Sequence, residues 1–420
     1  MKAPDIEAFF ADRRALDAAA YLELDYVFEC GGDPRVAAAH LCSEQSTAQW
    51  QRVGVDEDYR PRHAAKIIAF RSEPISALSL PVPGAPAGPL HRVQVTIAHP
   101  HGNFGPRIPN LLSAVMGEGV YHVPGVPVIR LEDLRFPEAY LAAFPGPQFG
   151  VEGLRELLGA YDRPIFLGVV KPNIGLAPAP FAAIAEEAWL GGLDIAKDDE
   201  MLADIDWSPL DERARLMGEA RARAAAATGE RKLYMANVTD EVSQLCALHD
   251  VAVARGAGAL LVNSLPVGLS GLRMLREHAR VPLFAHFPML AALTRVPGYG
   301  VHSRVLTKLQ RLCGADAVIM PGFGERMMVP EAEVMANVRA CLEPMGTLKP
   351  ALPVPGGSDS ADTLPRVYAT IGTRDFGFVC GRGIFGHAEG PRGGAASVRA
   401  AWTRLATQDA ARDMERPVKD

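Results

Sequence analysis

Four consecutive ionisable residues, Lys197-Asp198-Asp199-Glu200, follow the apolar segment GGLDIA. Because side chains alternate along a strand, Lys197 and Asp199 are predicted to share one face, while Asp198 points away and Glu200 lies just beyond the strand. Two carboxylates in an open oxygen site suit Mg2+. A free lysine amine would only neutralise them, whereas CO2 converts it to a carbamate, a third anionic ligand. A solvated charged turn is the alternative; the preceding strand favours a Mg2+ site of Lys197, Asp199 and Glu200.

The second part of the chain repeats a short apolar segment, a polar or glycine turn and an Ala/Leu/Glu/Arg-rich helix. Eight repeats favour a (β/α)8 TIM barrel over an open parallel sheet, which usually has fewer strands. A nucleotide-binding fold is disfavoured, because no GxGxxG follows the first segment and no Walker loop is present. The eight segments are residues 164–170, 193–196, 233–238, 259–262, 282–287, 317–320, 352–354 and 376–380.

The first part of the chain mixes helical and extended patterns. RVQVTIAHP (92–100) alternates like a half-buried strand, and VPVIRLEDLRFP (126–137) predicts a strand followed by a loop. The Pro- and Gly-rich stretch AFPGPQFG is typical of a boundary. We therefore expect an α/β protein with an N-terminal α+β domain (1–145) and a C-terminal TIM-barrel catalytic domain (146–420).

Other candidate residues lie where barrel strands are predicted to end, which is where barrel enzymes carry their chemistry. Lys171 ends the first strand, Asn237 the third and His286 the fifth. Glycines follow strands seven and eight, at Gly357 and Gly381, and their backbone N–H groups suit a phosphate. A histidine such as His286 or His302 is by itself equally compatible with a core or capping role.

Composition excludes several classes of protein. The net charge of −6 and pI near 6.0 give no basic surface for nucleic acid. No apolar run reaches the roughly 20 residues that a membrane span needs, and the N-terminus lacks the apolar core of an export signal. Six cysteines occur without CxxC spacing, which indicates reduced thiols rather than a zinc site. We expect a cytoplasmic protein.

Several motifs, taken in order, resemble the large subunit of Rubisco and in particular the Rubisco-like (form IV) proteins. The resemblance covers nearly the whole chain. It implies the TIM barrel, Mg2+ and CO2 held as a lysine carbamate. The motifs are SEQSTAQW (43–50), RLEDLRFP (130–137), GVVKPNIGL (168–176), GGLDIAKDDE (191–200), VHSRVLTKLQRLCGAD (301–316), LPVPGGSD (352–359) and GRGIFGH (381–387).

The resemblance implies a role for each matching residue. Lys197 is implied to be the carbamylated lysine, with Asp199 and Glu200 as the other metal ligands. Lys171 is implied to move protons to and from the substrate, and Asn237 to lie beside the metal. The residues implied near the substrate are His286 and His302, and those near one substrate phosphate are Trp50, Gly357, Gly381 and Arg382. Glu44 and Glu118 fall in segments that cap the partner's barrel in the family, which implies a homodimer with shared active sites.

Five departures from the Rubisco pattern argue against CO2 fixation. Asn173 replaces a second motif lysine and is kept as a substrate-binding candidate. Phe287 replaces the arginine that holds a second phosphate, and Leu290 replaces the next histidine. Glu118 replaces an asparagine that helps to orient CO2. The segment MPGFGER (320–326), after strand six, lacks the lysine that stabilises the carboxylated product.

The remaining groups suffice to form an enediolate from a monophosphorylated keto sugar. The Rubisco-like reaction that we expect is decarboxylation of 3-oxo-isoapionate 4-phosphate, a lyase activity of carbohydrate metabolism. The alternatives are enolase or isomerase reactions on methylthio-pentulose phosphates in methionine salvage. In those enolases a lysine acts as base in the region where this chain has Glu118, and the sequence shows no methionine-rich pocket for a thioether. A non-catalytic binding barrel is disfavoured, because Lys171, Lys197, Asp199 and Glu200 are all retained.

Overall fold

The computed structural model describes residues 6–48, 59–82, 84 and 86–415. The chain divides into two compact units. The N-terminal unit comprises the chain up to Phe144 together with Leu290–Leu309 and Pro344–Leu348. The barrel unit comprises Pro145–Met289, Gln310–Glu343 and the chain from Lys349 onward.

A five-stranded sheet in the order β10-β4-β1-β3-β2 forms the N-terminal unit. Its central strand β1 pairs antiparallel with β3 and β4. Burial alternates along the first part of β1, so one face covers the core, as expected for an antiparallel sheet. Strands β3 and β4 lie where the sequence predicts them. The strands are β1 (Tyr21–Gly31), β2 (Lys66–Ile75), β3 (Leu90–Pro100), β4 (Val128–Arg135) and β10 (Gly300–Val301).

Helices of the N-terminal unit are short. They are α1 (Pro34–Glu44), α2 (Arg60–His63), α3 (Ile108–Met116), α4 (Gly119–His122), α5 (Glu138–Leu141) and α12 (Leu290–Thr294). Helix α13 (Ser303–Leu312) is divided between the two units: its residues up to Leu309 belong to the N-terminal unit, and those from Gln310 onward belong to the barrel unit.

Eight parallel strands form the barrel unit, in the order β12-β11-β9-β8-β7-β6-β5-β13. Strands β12 and β13, at the two ends of this order, pack side by side and close the barrel. Every predicted apolar segment overlaps one of these strands, so the predicted α/β fold with a (β/α)8 barrel is confirmed. The strands are β5 (Ile165–Val169), β6 (Ile195–Lys197), β7 (Leu233–Asn237), β8 (Ala259–Asn263), β9 (Leu283–His286), β11 (Ala317–Pro321), β12 (Leu352–Gly356) and β13 (Gly377–Cys380).

Helices follow the barrel strands, and the barrel interior is filled by apolar side chains such as Leu167, Met235 and Phe284. Within the described ranges, none of the helices is long and apolar enough to cross a membrane. All six cysteines lie in these ranges as free thiols. The helices are α6 (Gly150–Leu158), α7 (Pro178–Leu190), α8 (Leu210–Thr228), α9 (Leu245–Ala254), α10 (Ser264–Val267), α11 (Leu269–His278), α14 (Glu331–Leu342), α15 (Leu364–Ile371), α16 (Arg382–Phe385) and α17 (Gly390–Glu415).

Two buried carboxylates brace the amino ends of barrel strands. Asp194, just before β6, accepts the Phe166 N–H at 2.8 Å and pairs with the Arg163 guanidinium. Asp316, just before β11, accepts the N–H groups of Gly150 and Leu283, each at 2.9 Å. Because their oxygens are satisfied by fixed donors, these acids have a structural role.

Candidate active site

A single cavity at the carboxyl ends of the barrel strands is lined by most of the predicted site residues. They come from the ends of β5, β6, β9, β12 and β13, as the barrel topology requires. The predicted residues that line it are Lys171, Asn173, Lys197, Glu200, His286, Gly357, Gly381 and Arg382.

Lys197 lies at the floor of this cavity with its side chain only 1% exposed. Among the described residues its Nζ has no hydrogen-bond partner, and the nearest carboxylate oxygen, Glu200 Oε2, is 4.0 Å away. Burial lowers the pKa of Lys197, against the opposing effects of Glu200 and Asp199. The uncharged amine is the form that can attack CO2, so this environment suits the proposed carbamate.

Lys171 is held in place by two acceptors. Its Nζ donates to Asp199 Oδ2 at 2.9 Å and to Asn173 Oδ1 at 2.5 Å. Asn173, which stands where the family has a second lysine, therefore orients the first one. The Lys171 side chain remains 26% exposed, so its ammonium can reach a bound molecule.

Asp198 points to the opposite side of β6, as the strand alternation predicts. Its carboxylate accepts from Arg213 Nε at 3.2 Å, from the Tyr234 hydroxyl at 2.9 Å and from Asn237 N–H at 3.0 Å. Arg213 also donates to the carbonyls of Ser208 and Ala203, in the loop that follows Glu200. This network anchors the loop that carries the carboxylates, and the sequence analysis missed it because α8 shows only a charged helix there.

Two asparagines hold the backbone of the same loop. Asn237 Nδ2 donates to the carbonyls of Asp199 and Glu200 at 3.2 and 3.1 Å, and Asn263 Nδ2 donates to the Glu200 carbonyl at 2.8 Å. Asn237 was predicted, whereas Asn263 was absent from the predicted set although it ends the next strand. Both position the loop through its backbone.

His286 is buried beside Glu200, with its Nε2 at 3.7 Å from Glu200 Oε2. Burial, together with the charges of Lys197 and Lys171, lowers the pKa of His286 well below its ordinary value. Its Nδ1 accepts the Phe287 N–H at 3.0 Å, and the two rings stack with centroids 4.7 Å apart. The neutral ring therefore carries its proton on Nε2, where it can be donated into the cavity.

The turn after β12, residues 356–360, forms the opposite wall; we call it the β12 turn. The Gly357 N–H, predicted to bind phosphate, donates at 3.1 Å to Asp359 Oδ2. Asp359 is only 4% exposed, and its Oδ1 accepts from the Thr363 hydroxyl at 3.2 Å. Burial raises the pKa of Asp359 to about 6. The Gly357 N–H, which the sequence analysis predicted to bind phosphate, is thus hydrogen-bonded to Asp359, an acid that the sequence analysis did not consider.

Two further cavity residues, Arg326 and Met327, were also missed. Arg326, on the loop after β11, lines the cavity, and its NH1 lies 3.2 Å from Ser358 Oγ. The segment MPGFGER lacks lysine but does supply a cation, which a search for either basic residue would have found. Met327 lines the cavity too, as does Phe287, which the sequence analysis named. One methionine does not make the pocket methionine-rich.

Three predicted residues belong to the N-terminal unit, and a fourth is not among the described residues. Glu44 ends α1 and is partly buried, and Glu118 precedes α4 and is exposed. His302 precedes α13, and its Nδ1 accepts the Arg304 N–H at 3.1 Å. These three belong to the N-terminal unit, and Trp50 lies outside the described residues. Their roles stay predictions.

One group of three potential metal ligands, His249, Asp250 and His278, occurs elsewhere in the described part of the barrel unit. His249 Nε2 accepts the Arg280 N–H at 3.1 Å, which places the ring proton on Nδ1. That proton points at Asp250 Oδ1, 2.9 Å away. A protonated Nδ1 cannot ligate a metal, so this group is a hydrogen-bond network.

Comparison with known proteins places the chain in a family. Residues 150–419 match the catalytic domain of the ribulose bisphosphate carboxylase large chain, and residues 26–140 match its N-terminal domain. The chain belongs to the Rubisco large-chain family. The resemblance inferred from the motifs is confirmed.

Similar proteins place it among the Rubisco-like members. Ribulose bisphosphate carboxylase-like protein 2 of Rhodopseudomonas palustris is 65% identical over 97% of this chain and 94% of its own. A 3-oxo-isoapionate-4-phosphate decarboxylase of Rhizobium etli is 33% identical over 91% of this chain and 92% of its own.

Solved structures share the fold of this Rubisco-like chain. A Rubisco-like protein from Burkholderia fungorum has a TM-score of 0.85 at 29% identity, covering 92% of this chain and 94% of its own. A dimeric archaeal Rubisco from Hyperthermus butylicus has a TM-score of 0.83 at 28% identity, covering 96% and 95%.

Proposed function

We propose that this Rubisco-like protein is a Mg2+-dependent lyase that forms an enediolate from a monophosphorylated keto sugar acid by releasing CO2. The substrate that we propose is 3-oxo-isoapionate 4-phosphate. The observation that carries the proposal is the buried amine of Lys197, which has no hydrogen-bond partner among the described residues and has Asp199 and Glu200 beside it in sequence. The similarity to the Rhizobium etli decarboxylase supports the choice of substrate.

The donor set fits Mg2+ once Lys197 carries CO2. Lys197 as its carbamate, Asp199 and Glu200 would then supply three anionic oxygen ligands, which is the chemistry that Mg2+ prefers. The ion, when bound, stabilises negative charge that develops on substrate oxygens.

Lys171 and His286 are the proposed proton-handling groups. The ammonium of Lys171, aligned by Asn173, can deliver a proton to the carbon from which CO2 departs. His286 keeps a neutral ring because burial disfavours its charged form, and it can donate its Nε2 proton to a substrate oxygen. When CO2 leaves, the electron pair of the broken C–C bond is held as the enediolate, which is then protonated at carbon.

The cations Arg326 and Arg382 and the glycine turns at Gly357 and Gly381 are proposed to bind the single phosphate. Phe287 lines the cavity where Rubisco has a phosphate-binding arginine by sequence correspondence. An apolar ring there supports a substrate with one phosphate rather than two, and so supports a reaction other than CO2 fixation.

A second candidate is an enolase or isomerase acting on methylthio-pentulose phosphates. It is favoured by the side chains of Phe287, Ile319 and Met327, which together offer the cavity an apolar surface. A thioether would pack favourably against an aromatic ring and a methionine. Turnover of the two substrate classes separates the candidates.

We further propose a cytoplasmic homodimer with shared active sites. Dimerisation is supported by the similarity to the dimeric Rubisco of Hyperthermus butylicus. Glu44 and Glu118 would then be contributed to the partner's site, as the family resemblance implies. Sedimentation equilibrium of the purified protein would test the assembly.

The first experiment measures CO2 release from 3-oxo-isoapionate 4-phosphate by protein incubated with Mg2+ and bicarbonate. We expect stoichiometric CO2, loss of activity in Lys197→Met, and retained activity in Lys232→Met. Lys232 is the matched control, because it is equally buried but pairs with Glu230 at 2.6 Å, outside the cavity. If bicarbonate-activated protein releases no CO2, the decarboxylase proposal fails. Turnover of a methylthio-pentulose phosphate would support the second candidate, and no bicarbonate effect at all would support a non-catalytic barrel.

A further inference from the structure

The β12 turn carries a buried carboxyl group that the proposed chemistry does not use. Asp359 is 4% exposed and lines the cavity. Its stabilising contacts are two neutral donors, the Gly357 N–H and the Thr363 hydroxyl, and no cation of the described residues is among them. A buried carboxylate without a paired cation is costly and is usually retained for a function.

The position of Asp359 sets it in competition with a bound anion. Gly357 N–H donates to Asp359 Oδ2, so an oxyanion at this turn must either share or displace that donor. An incoming oxyanion would also lie near the negative charge of the buried Asp359 carboxylate. Like charges at such a distance raise the proton affinity of the weaker acid.

We propose that Asp359 is a specificity-determining residue, which takes up one proton whenever a tetrahedral oxyanion binds at the β12 turn. Deprotonated Asp359 occupies the Gly357 N–H and repels the ligand, whereas protonated Asp359 releases the donor and removes the charge. The residue thereby couples the binding of an oxyanion at this turn to the uptake of a proton. This inference rests on the proposed function only in placing the substrate phosphate at this turn.

Other charged groups around the cavity come from neighbouring elements. They are Lys171 after β5, Lys197 at the end of β6, Glu200 in the loop after β6, Arg326 after β11 and Arg382 at the start of α16. On β13, burial raises the pKa of the Cys380 thiol well above its ordinary value, so that thiol stays neutral. Burial also keeps His286, at the end of β9, neutral, because it lowers the pKa of a group that is charged when protonated. A substitution at Asp359 is therefore required to assign the proton.

The test is calorimetric titration of the purified full chain with sodium sulfate, which keeps its charge between pH 5 and pH 8. Titrations in two buffers of different ionisation enthalpy give the number of protons taken up. With a pKa of about 6 for Asp359, the affinity should fall about tenfold between pH 5 and pH 7, with about one proton taken up at pH 7.

Asp359→Asn should bind sulfate about tenfold more tightly than the natural protein at pH 7, with no proton uptake and no such pH dependence. Asp362→Asn is the matched control, because Asp362 is exposed three residues further on, and it should behave like the natural protein. Thr363→Val provides a second variant that keeps the carboxyl group. Removing one donor to the carboxylate should move the pH midpoint of sulfate binding upward.

The inference is overturned if sulfate binds the natural protein without proton uptake, if Asp359→Asn keeps the pH dependence, or if sulfate does not bind at all. Sulfate binding involves no turnover. Failure of the decarboxylase assay would therefore leave this result standing, and failure here would leave the lyase proposal open.

Discussion

Lys197 and Asp198 are adjacent in the chain and fully buried, yet their side chains differ in the hydrogen-bond partners that surround them. Asp198 faces the helices, where Arg213, Tyr234 and a backbone N–H satisfy it. Lys197 faces the barrel mouth, where its amine has no hydrogen-bond partner among the described residues. Removing the partner of a buried charge is strongly destabilising, so a group such as Asp198 is expected to have a structural role. A buried ionisable group without such partners in a cavity is a candidate for binding or chemistry.

The same contrast separates the two ends of the barrel. At the amino ends, Asp194 is paired with a cation and Asp316 accepts several backbone N–H groups. At the carboxyl ends, within the described residues, the Lys197 amine has no hydrogen-bond partner and lies 4.0 Å from Glu200, and the stabilising contacts of Asp359 are neutral donors. The buried ionisable groups at the amino ends thus have fixed partners that stabilise their charges. Those at the carboxyl ends, where the cavity lies, have fewer such partners.

Arg213→Met should produce the largest change in the free energy of unfolding. It leaves the Asp198 carboxylate buried without its cation, and breaking a buried pair in this way costs about 3–5 kcal/mol. Urea denaturation monitored by circular dichroism would measure it, with Arg215→Met on the exposed side of α8 as the control. A loss similar to that of the control would mean that Asp198 is not held by Arg213.

Asp359→Asn should change stability in a pH-dependent manner. The ordinary pKa of 3.8 rises to about 6 in the folded protein, so the folded state holds an extra proton between these values. The natural protein therefore loses stability as pH rises from about 4 to 6, by up to about 3 kcal/mol in total. The asparagine variant should be more stable than the natural protein at pH 7.5 and about equal to it near pH 4. Thermal unfolding at both pH values checks this, and a difference that does not depend on pH would contradict it.

Lys197→Met should have the smallest effect on stability, opposite in sign to that of Arg213→Met. Replacing a buried, unpartnered amine by an apolar side chain of similar length removes a desolvation cost, so a gain of about 1 kcal/mol is expected. Urea denaturation without bicarbonate measures this change. A loss as large as that of Arg213→Met would show that the amine is compensated in solution, and the contrast between the two neighbours would be broken.

Much of the architecture could be predicted from local patterns. The apolar segments of the barrel, the alternation that sends Lys197 and Asp198 to opposite faces and the strand ends bearing Lys171 and His286 all follow from spacing. Strand β1 was not predicted, although YLELDYVFEC alternates between apolar and polar residues along much of its length.

The sequence by itself determined the family, the barrel and the set of groups at its mouth, because these depend on residue type and on periodic spacing along the chain. Only the tertiary structure decided how each charge is compensated. Arg213 meets Asp198 across 15 positions, Arg326 reaches Ser358 across 32, and the turn around Ser358 buries Asp359. Burial and partnership are properties of distant segments brought together, and they set the pKa of a side chain and its availability for chemistry.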